Sequence, residues 1–131
     1  MRRNKQSTKV VEWLNNALLT GPYLTLCLNP RDYAAAVAHL KVKGAPPFLV
    51  SGADASVHFF EREGKLSAVV CIEVGKHSLS QIHAMLVHEA VHIWQEYLRG
   101  IRETAPGDEI EAYSIQSISQ ELFLEFKRRR R

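Results

Sequence analysis

The sequence predicts a single α+β domain in which a small antiparallel or mixed sheet packs on one long helix, with a second long helix following. Three observations point there. Short apolar or alternating segments bounded by Gly, Pro and Asn cluster between residues 23 and 74, the signature of strands. From Ser78 onward, apolar residues recur at helical spacing through two long segments interrupted around Gly100 to Gly107. The 131 residues, 46% hydrophobic and 24% charged, suit one ordinary domain with one core.

At the start of the chain, Ser7 or Thr8 can cap a helix whose apolar positions are Val10, Val11, Leu14, Leu18 and Leu19, stopped by Gly21 and Pro22. Tyr23 to Leu28 reads as a short strand ending at Asn29 and Pro30. A helix from Asp32 to Gly44 would bury Tyr33, Ala36, Val37 and Leu40. The sequence carries no signal that assigns its His39 a role. Pro46 and Pro47 turn the chain into a short strand, Phe48 to Ser51. Two further strands, Ser56 to Glu61 and Leu66 to Val74, join across Arg62, Glu63, Gly64 and Lys65, a loop that suits an antiparallel hairpin. Cys27 and Cys71 lie in separate apolar segments, where small buried thiols are expected and a disulfide between them is the alternative.

Ser78 with Gln81 three residues later matches a capping box. The helix it opens carries Leu79, Ile82, Leu86, Ala90, Ile93, Trp94 and Tyr97 inward and closes at Gly100. Pro106 is a helix-start residue for the last element, Asp108 to Phe126.

The net charge of +3 is modest but unevenly placed, with Arg2, Arg3 and Lys5 opening the chain and Lys127 to Arg131 closing it. Residues 1–6 and 127–131 read as solvated basic tails. A nucleic-acid contact through them is the weaker reading, because no aromatic side chain interleaves either run. No stretch approaches the roughly 20 apolar residues that span a bilayer. Glu12, Asn15 and Asn16 interrupt the only early run of signal-peptide length, so a cytoplasmic location is expected and no membrane partner. Nothing in the sequence specifies an oligomeric state.

The chemistry concentrates in His88-Glu89-Ala90-Val91-His92. Two histidines four apart on a helix project from one face about one turn apart, so both imidazoles can reach one metal ion. Zinc accepts neutral imidazole and in catalytic sites keeps a position for water. Glu89 beside that water is placed to take its proton, which is the chemistry of metal-assisted hydrolysis. A third ligand is expected from the next helix, whose first turn offers Asp108, Glu109 and Glu111. At about 100° per residue, Glu109 aligns with Tyr113, Gln116 and Gln120, whereas Glu111 aligns with Ile115, Ile118 and Leu122. Periodicity leaves the choice open.

His88, Glu89 and His92, followed by Glu109, Ala112 and Tyr113, resemble the gluzincin branch of the zincin metallopeptidases, in particular the very small zincin-like domains of bacteria and phages. The resemblance covers residues 79–126. It implies zinc held by His88, His92 and Glu109, with Glu111 as the alternative, and peptide-bond hydrolysis with Glu89 as general base. It implies a minimal zincin-like fold, a few strands packed on the active-site helix, with an edge strand lining the cleft; Leu66 to Val74 is the expected edge. Tyr113 stands where the family's Glu-x-x-x-Asp pattern has a carboxylate, so it supplies a hydroxyl and no charge.

An oxyanion-stabilising group is available in Tyr113, Tyr97, His58, His77, His83 or Arg102, with Tyr113 preferred for lying one turn after Glu109. Trp94 and Gln95 are expected to pack the helix. The expected partner is a peptide or protein substrate. The competing reading is a catalytically inactive zincin-like module with a structural or interaction role, associated with a phage particle or with nucleic acid through the basic tails.

Overall fold

A computed structural model describes residues 23–130 and the backbone of residues 13 and 14. Its elements in chain order are β1 (Trp13–Leu14), β2 (Tyr23–Cys27), α1 (Pro30–His39), β3 (Ala55–Arg62), β4 (Lys65–Ile72), α2 (Leu79–Ile101) and α3 (Asp108–Arg129). They build an α+β fold around one mixed sheet in the order β1-β2-β4-β3. β2 runs parallel to β4, β3 returns antiparallel along β4, and the two-residue β1 pairs antiparallel with β2.

β4 is central, and its residues 67–72 are all buried. Successive side chains of a strand point to opposite faces, so both faces of this one need cover. Ala68, Val70 and Ile72 join Leu24 and Leu26 of β2 beneath Leu86, Ala90, Ile93 and Trp94 of α2 and Ile118, Leu122 and Phe126 of α3. Val69 and Cys71 face the other way, against Tyr33 and Ala36 of α1. Burying one such aliphatic side chain is worth about 1.5–3 kcal/mol, so the larger α2–α3 side carries most of the core.

Local chemistry sets the element ends. Glu63 and Gly64, with φ of 55° and 77°, form the two-residue β3–β4 turn, whose left-handed backbone matches the twist of the strands. The Asn29 side chain accepts from the Asp32 N–H to cap α1. Ser78 and Gln81 close a reciprocal capping box on α2. Acidic residues fill the first turn of α3 and basic ones its last, each complementing the helix dipole.

Several expectations are corrected. At Trp13 and Leu14 the backbone pairs with Thr25 and Leu24 as a strand, not a helix; the rest of that proposed helix, the tail at residues 1–6 and Arg131 lie outside the described residues. Phe48 to Ser51 is not a strand. Phe48 and Leu49 pack against the α1 side of the sheet, and side chains of β3 hold the segment: the Val50 N–H donates to Ser56 Oγ at 3.2 Å, and His58 Nε2–H to the Phe48 carbonyl at 2.9 Å. Its hydrophobicity therefore reflects packing rather than strand pairing.

α1 ends at His39, ahead of Gly44, because Lys41 already takes a left-handed φ of 59°. α2 passes through Gly100, a tolerable interruption at about 1 kcal/mol, and ends where Arg102 turns left-handed with its N–H on the Arg99 carbonyl. α3 runs on to Arg129, so Lys127, Arg128 and Arg129 are helical rather than part of a flexible tail. The edge strand next to β4 is β3, and the continuous apolar run of β4 places it inside the sheet.

Cys27 and Cys71 are directly opposite across β2 and β4, both buried and both free thiols. Hydrogen bonding between them, followed by burial, pushes the Cys71 thiol well above its ordinary pKa. Among the described residues, no helix is long and apolar enough to cross a membrane.

Candidate metal centre

α2 presents His88 and His92 on one exposed stripe and turns Glu89, one residue on, towards the sheet. The two imidazoles meet with ring planes 77° apart and Nε2 atoms 3.2 Å apart. Two nitrogens on one tetrahedral zinc, each at 2.0–2.1 Å, lie roughly 3.3 Å apart. The histidine pair therefore fits zinc with little adjustment.

His92 is also oriented from behind. Its Nδ1 lies 3.1 Å from Gln95 Oε1, an acceptor that suits the tautomer with the proton on Nδ1, in which Nε2 keeps its lone pair for a metal. Gln95 thus does more than pack the helix, and its i+3 spacing from His92 is the sequence signal for this role. Replacing Gln95 with leucine should weaken zinc binding by about 10–100-fold while leaving the fold intact, measured by competition with a chromophoric chelator. Unchanged affinity would remove Gln95 from the site.

Glu89 is 4% exposed. Burial raises its carboxyl above the usual pKa, opposed in part by His88, His92 and His58. The carboxylate borders a cleft of about 390 Å³ between α2 and the edge strand. Ala55, Ser56, Val57 and Phe59 of β3 form one wall, and His88, His92, Glu96 and Arg99 of α2 form the other. A second hollow past His88 and Glu89, bordered by Asp54, Ala84 and Met85, continues the same cleft.

Glu96 and Arg99 were not singled out by sequence, although with His88 and His92 they recur at i, i+4, i+8 and i+11 along one stripe. They form an ion pair at 2.7 Å at one end of the cleft.

α3 is placed differently from the sequence expectation. Glu111 accepts a hydrogen bond from Trp94 Nε1 at 2.8 Å. Trp94 is two residues beyond His92, about 200° around the helix, so α3 approaches the side of α2 away from the histidines. Asp108, Glu109 and Tyr113 are exposed on α3, and neither they nor Glu111 border the cleft. The structure thus brings His88, Glu89 and His92 together but not Glu109, Glu111 or Tyr113. Among the described residues, no cluster of three or more His, Cys, Asp and Glu side chains is arranged to hold a metal ion.

The other oxyanion candidates also lie elsewhere. Tyr97 stacks on Trp94, His83 stacks on Phe123, and Arg102 caps α2. His58 bonds to the Phe48 carbonyl on the α1 side of the sheet. His77 Nε2 lies 3.3 Å from Asp54 Oδ2. The cation beside the cleft is Arg99.

The chain matches no protein-family model, no curated protein and no solved structure. The metallopeptidase resemblance therefore stands on its residues alone.

Proposed function

We propose that this chain is a zinc-dependent hydrolase acting on peptide bonds. The observation that carries the reading is that a buried Glu89 carboxyl and two imidazoles whose Nε2 atoms are 3.2 Å apart line the same open cleft. His88 and His92 would hold the ion, and zinc when bound supplies Lewis acidity and a water acidified towards a pKa of about 7. Glu89 would be placed to take a proton from water in the cleft and return it to the leaving amine. Burial favours this work, because it raises the Glu89 carboxyl above its usual pKa and so makes it a stronger base. The edge position of β3 suits an extended peptide, which can lie along the strand while its side chains alternate between cleft and solvent.

The third ligand is the open part of this reading. Glu109 remains the residue implied by the resemblance, yet Glu111 is the α3 carboxylate that reaches α2. Glu109→Gln and Glu111→Gln separate them: the variant lacking the true ligand should lose zinc affinity by tenfold or more, while the other stays near the parent. Parental affinity in both would show that neither carboxylate ligates.

The placement of the α3 carboxylates away from the histidines favours a second reading, a zincin-like module without catalysis that serves a structural or interaction role. Zinc content by elemental analysis, with hydrolysis of an unfolded generic protein substrate before and after chelation, tests the two. Chelator-sensitive cleavage restored by zinc supports the hydrolase. Protein that neither binds zinc nor changes its melting temperature when zinc is added supports the module.

A further inference from the structure

We infer that the apolar hollow between the start of α2 and the end of α3 is a docking site for an acidic amphipathic helix of a partner protein. It has a volume of about 560 Å³, larger than the histidine cleft, and its floor is Leu79, Phe123, Leu124 and Phe126. Three basic or titratable side chains complete it: His83, stacked on Phe123 with ring centroids 4.6 Å apart, and the exposed Lys127 and Arg130. Among the described residues, no carboxylate borders it. His83 lies five residues before His88, about 140° around α2, so the hollow is separate from the metal centre and independent of the proposed hydrolysis.

Shape and charge select the occupant. Leu79 and Leu124 remain 43% and 54% exposed, so the hollow is too open to bury the 70–90% of surface that small-ligand sites cover. A concave floor receives protruding side chains, and an amphipathic helix supplies them at i, i+3, i+4 and i+7. Lys127 in the last turn of α3 and Arg130 at its C-cap are three residues apart and call for carboxylates flanking those anchors. A second copy of the chain in a symmetric pair would set these cations against each other without an acid from the same hollow to offset them.

The test uses the full chain and two synthetic helical peptides with the same leucine stripe, one flanked by glutamates and one by lysines. Fluorescence anisotropy should show the glutamate peptide binding at least tenfold more tightly at 0.15 M salt. Lys127→Glu with Arg130→Glu should invert the preference, Lys127→Gln with Arg130→Gln should flatten it, and Leu124→Glu should weaken both peptides. All three positions are exposed, and each variant should keep the parental circular dichroism and melting temperature. Equal binding of the two peptides, or a preference unmoved by the charge reversal, overturns the inference. So does binding to phosphatidylglycerol vesicles or duplex DNA that depends on Lys127 and Arg130 while the glutamate peptide is ignored. A dimer in sedimentation equilibrium that Leu124→Glu dissolves would likewise overturn it, in favour of self-association.

Discussion

Glu89→Gln should retain zinc at the parental affinity and hydrolyse peptide bonds about 10²–10⁴-fold more slowly, the usual contribution of a positioned general base. The amide keeps the size of the carboxyl and can still donate to a water, but it cannot accept the proton. Zinc retained together with undiminished cleavage would remove the general-base role.

The same variant has a stability signature. Burial raises the Glu89 carboxyl above the value of about 4.3 that it has in an unfolded chain. The stability associated with its neutral form is fully present below that unfolded value and is lost as pH rises through the raised native one. Glutamine carries no charge to desolvate. In chelator-treated protein, Glu89→Gln should therefore melt higher than the parent at neutral pH, and the two curves should converge below about pH 4. Parallel curves from pH 4 to 8 would mean that Glu89 is not burdened by burial. Cleavage lost with melting temperature gained is the pattern of a residue kept for chemistry at a cost in stability.

Much of this site was legible in the sequence because it is local. Helical periodicity and the Ser78–Gln81 box placed α2, and the four-residue spacing of His88 and His92 on it dictates their meeting at 3.2 Å. The β3–β4 hairpin was equally legible from Glu63-Gly64 between two strand-like runs. The resemblance put Leu66 to Val74 at the sheet edge, yet the central position of β4 was encoded in its uninterrupted run through Ala68, Val69, Val70, Cys71 and Ile72, which contrasts with the mixed pattern of β3.

What periodicity cannot carry is the side from which one helix approaches another. Glu109 and Glu111 differ by about 200° on α3, and only the indole of Trp94, a residue whose type signals core packing, turns Glu111 rather than Glu109 towards α2. Contacts between the chain's ends were hidden for the same reason. Arg129 reads as one member of a basic tail until its partners, 97 and 103 residues earlier, are seen.

Arg129→Met should be the most destabilising single change in the described chain end, at about 3–5 kcal/mol or a fall of roughly 10–20 °C in melting temperature. The Arg129 side chain is 6% exposed, and its guanidinium bonds the Leu26 carbonyl at 2.9 Å and pairs with Asp32 and Glu125, each 4% exposed. Asp32 accepts in addition from the Leu28 N–H, so one cation ties the end of α3 to β2 and the start of α1. Methionine fills similar space but leaves two buried carboxylates with less countercharge and a carbonyl without this donor. Arg129→Lys should recover only part of the loss, because a single ammonium cannot reproduce the planar fork that reaches a carbonyl and two carboxylates together. Adding Asp32→Asn and Glu125→Gln to Arg129→Met should restore more, since the cost lies chiefly in the stranded charges. A melting temperature for Arg129→Met within about 2 °C of the parent would show the network to be dispensable. Trimming residues 127–131 would remove Arg129 as well, so lost nucleic-acid binding in a trimmed chain would report unfolding. Neutralising only the exposed Lys127 and Arg130, with Arg128 left on its buried partner Glu125, isolates the surface charge, and binding that survives that change would leave nothing for the C-terminal basic run to explain.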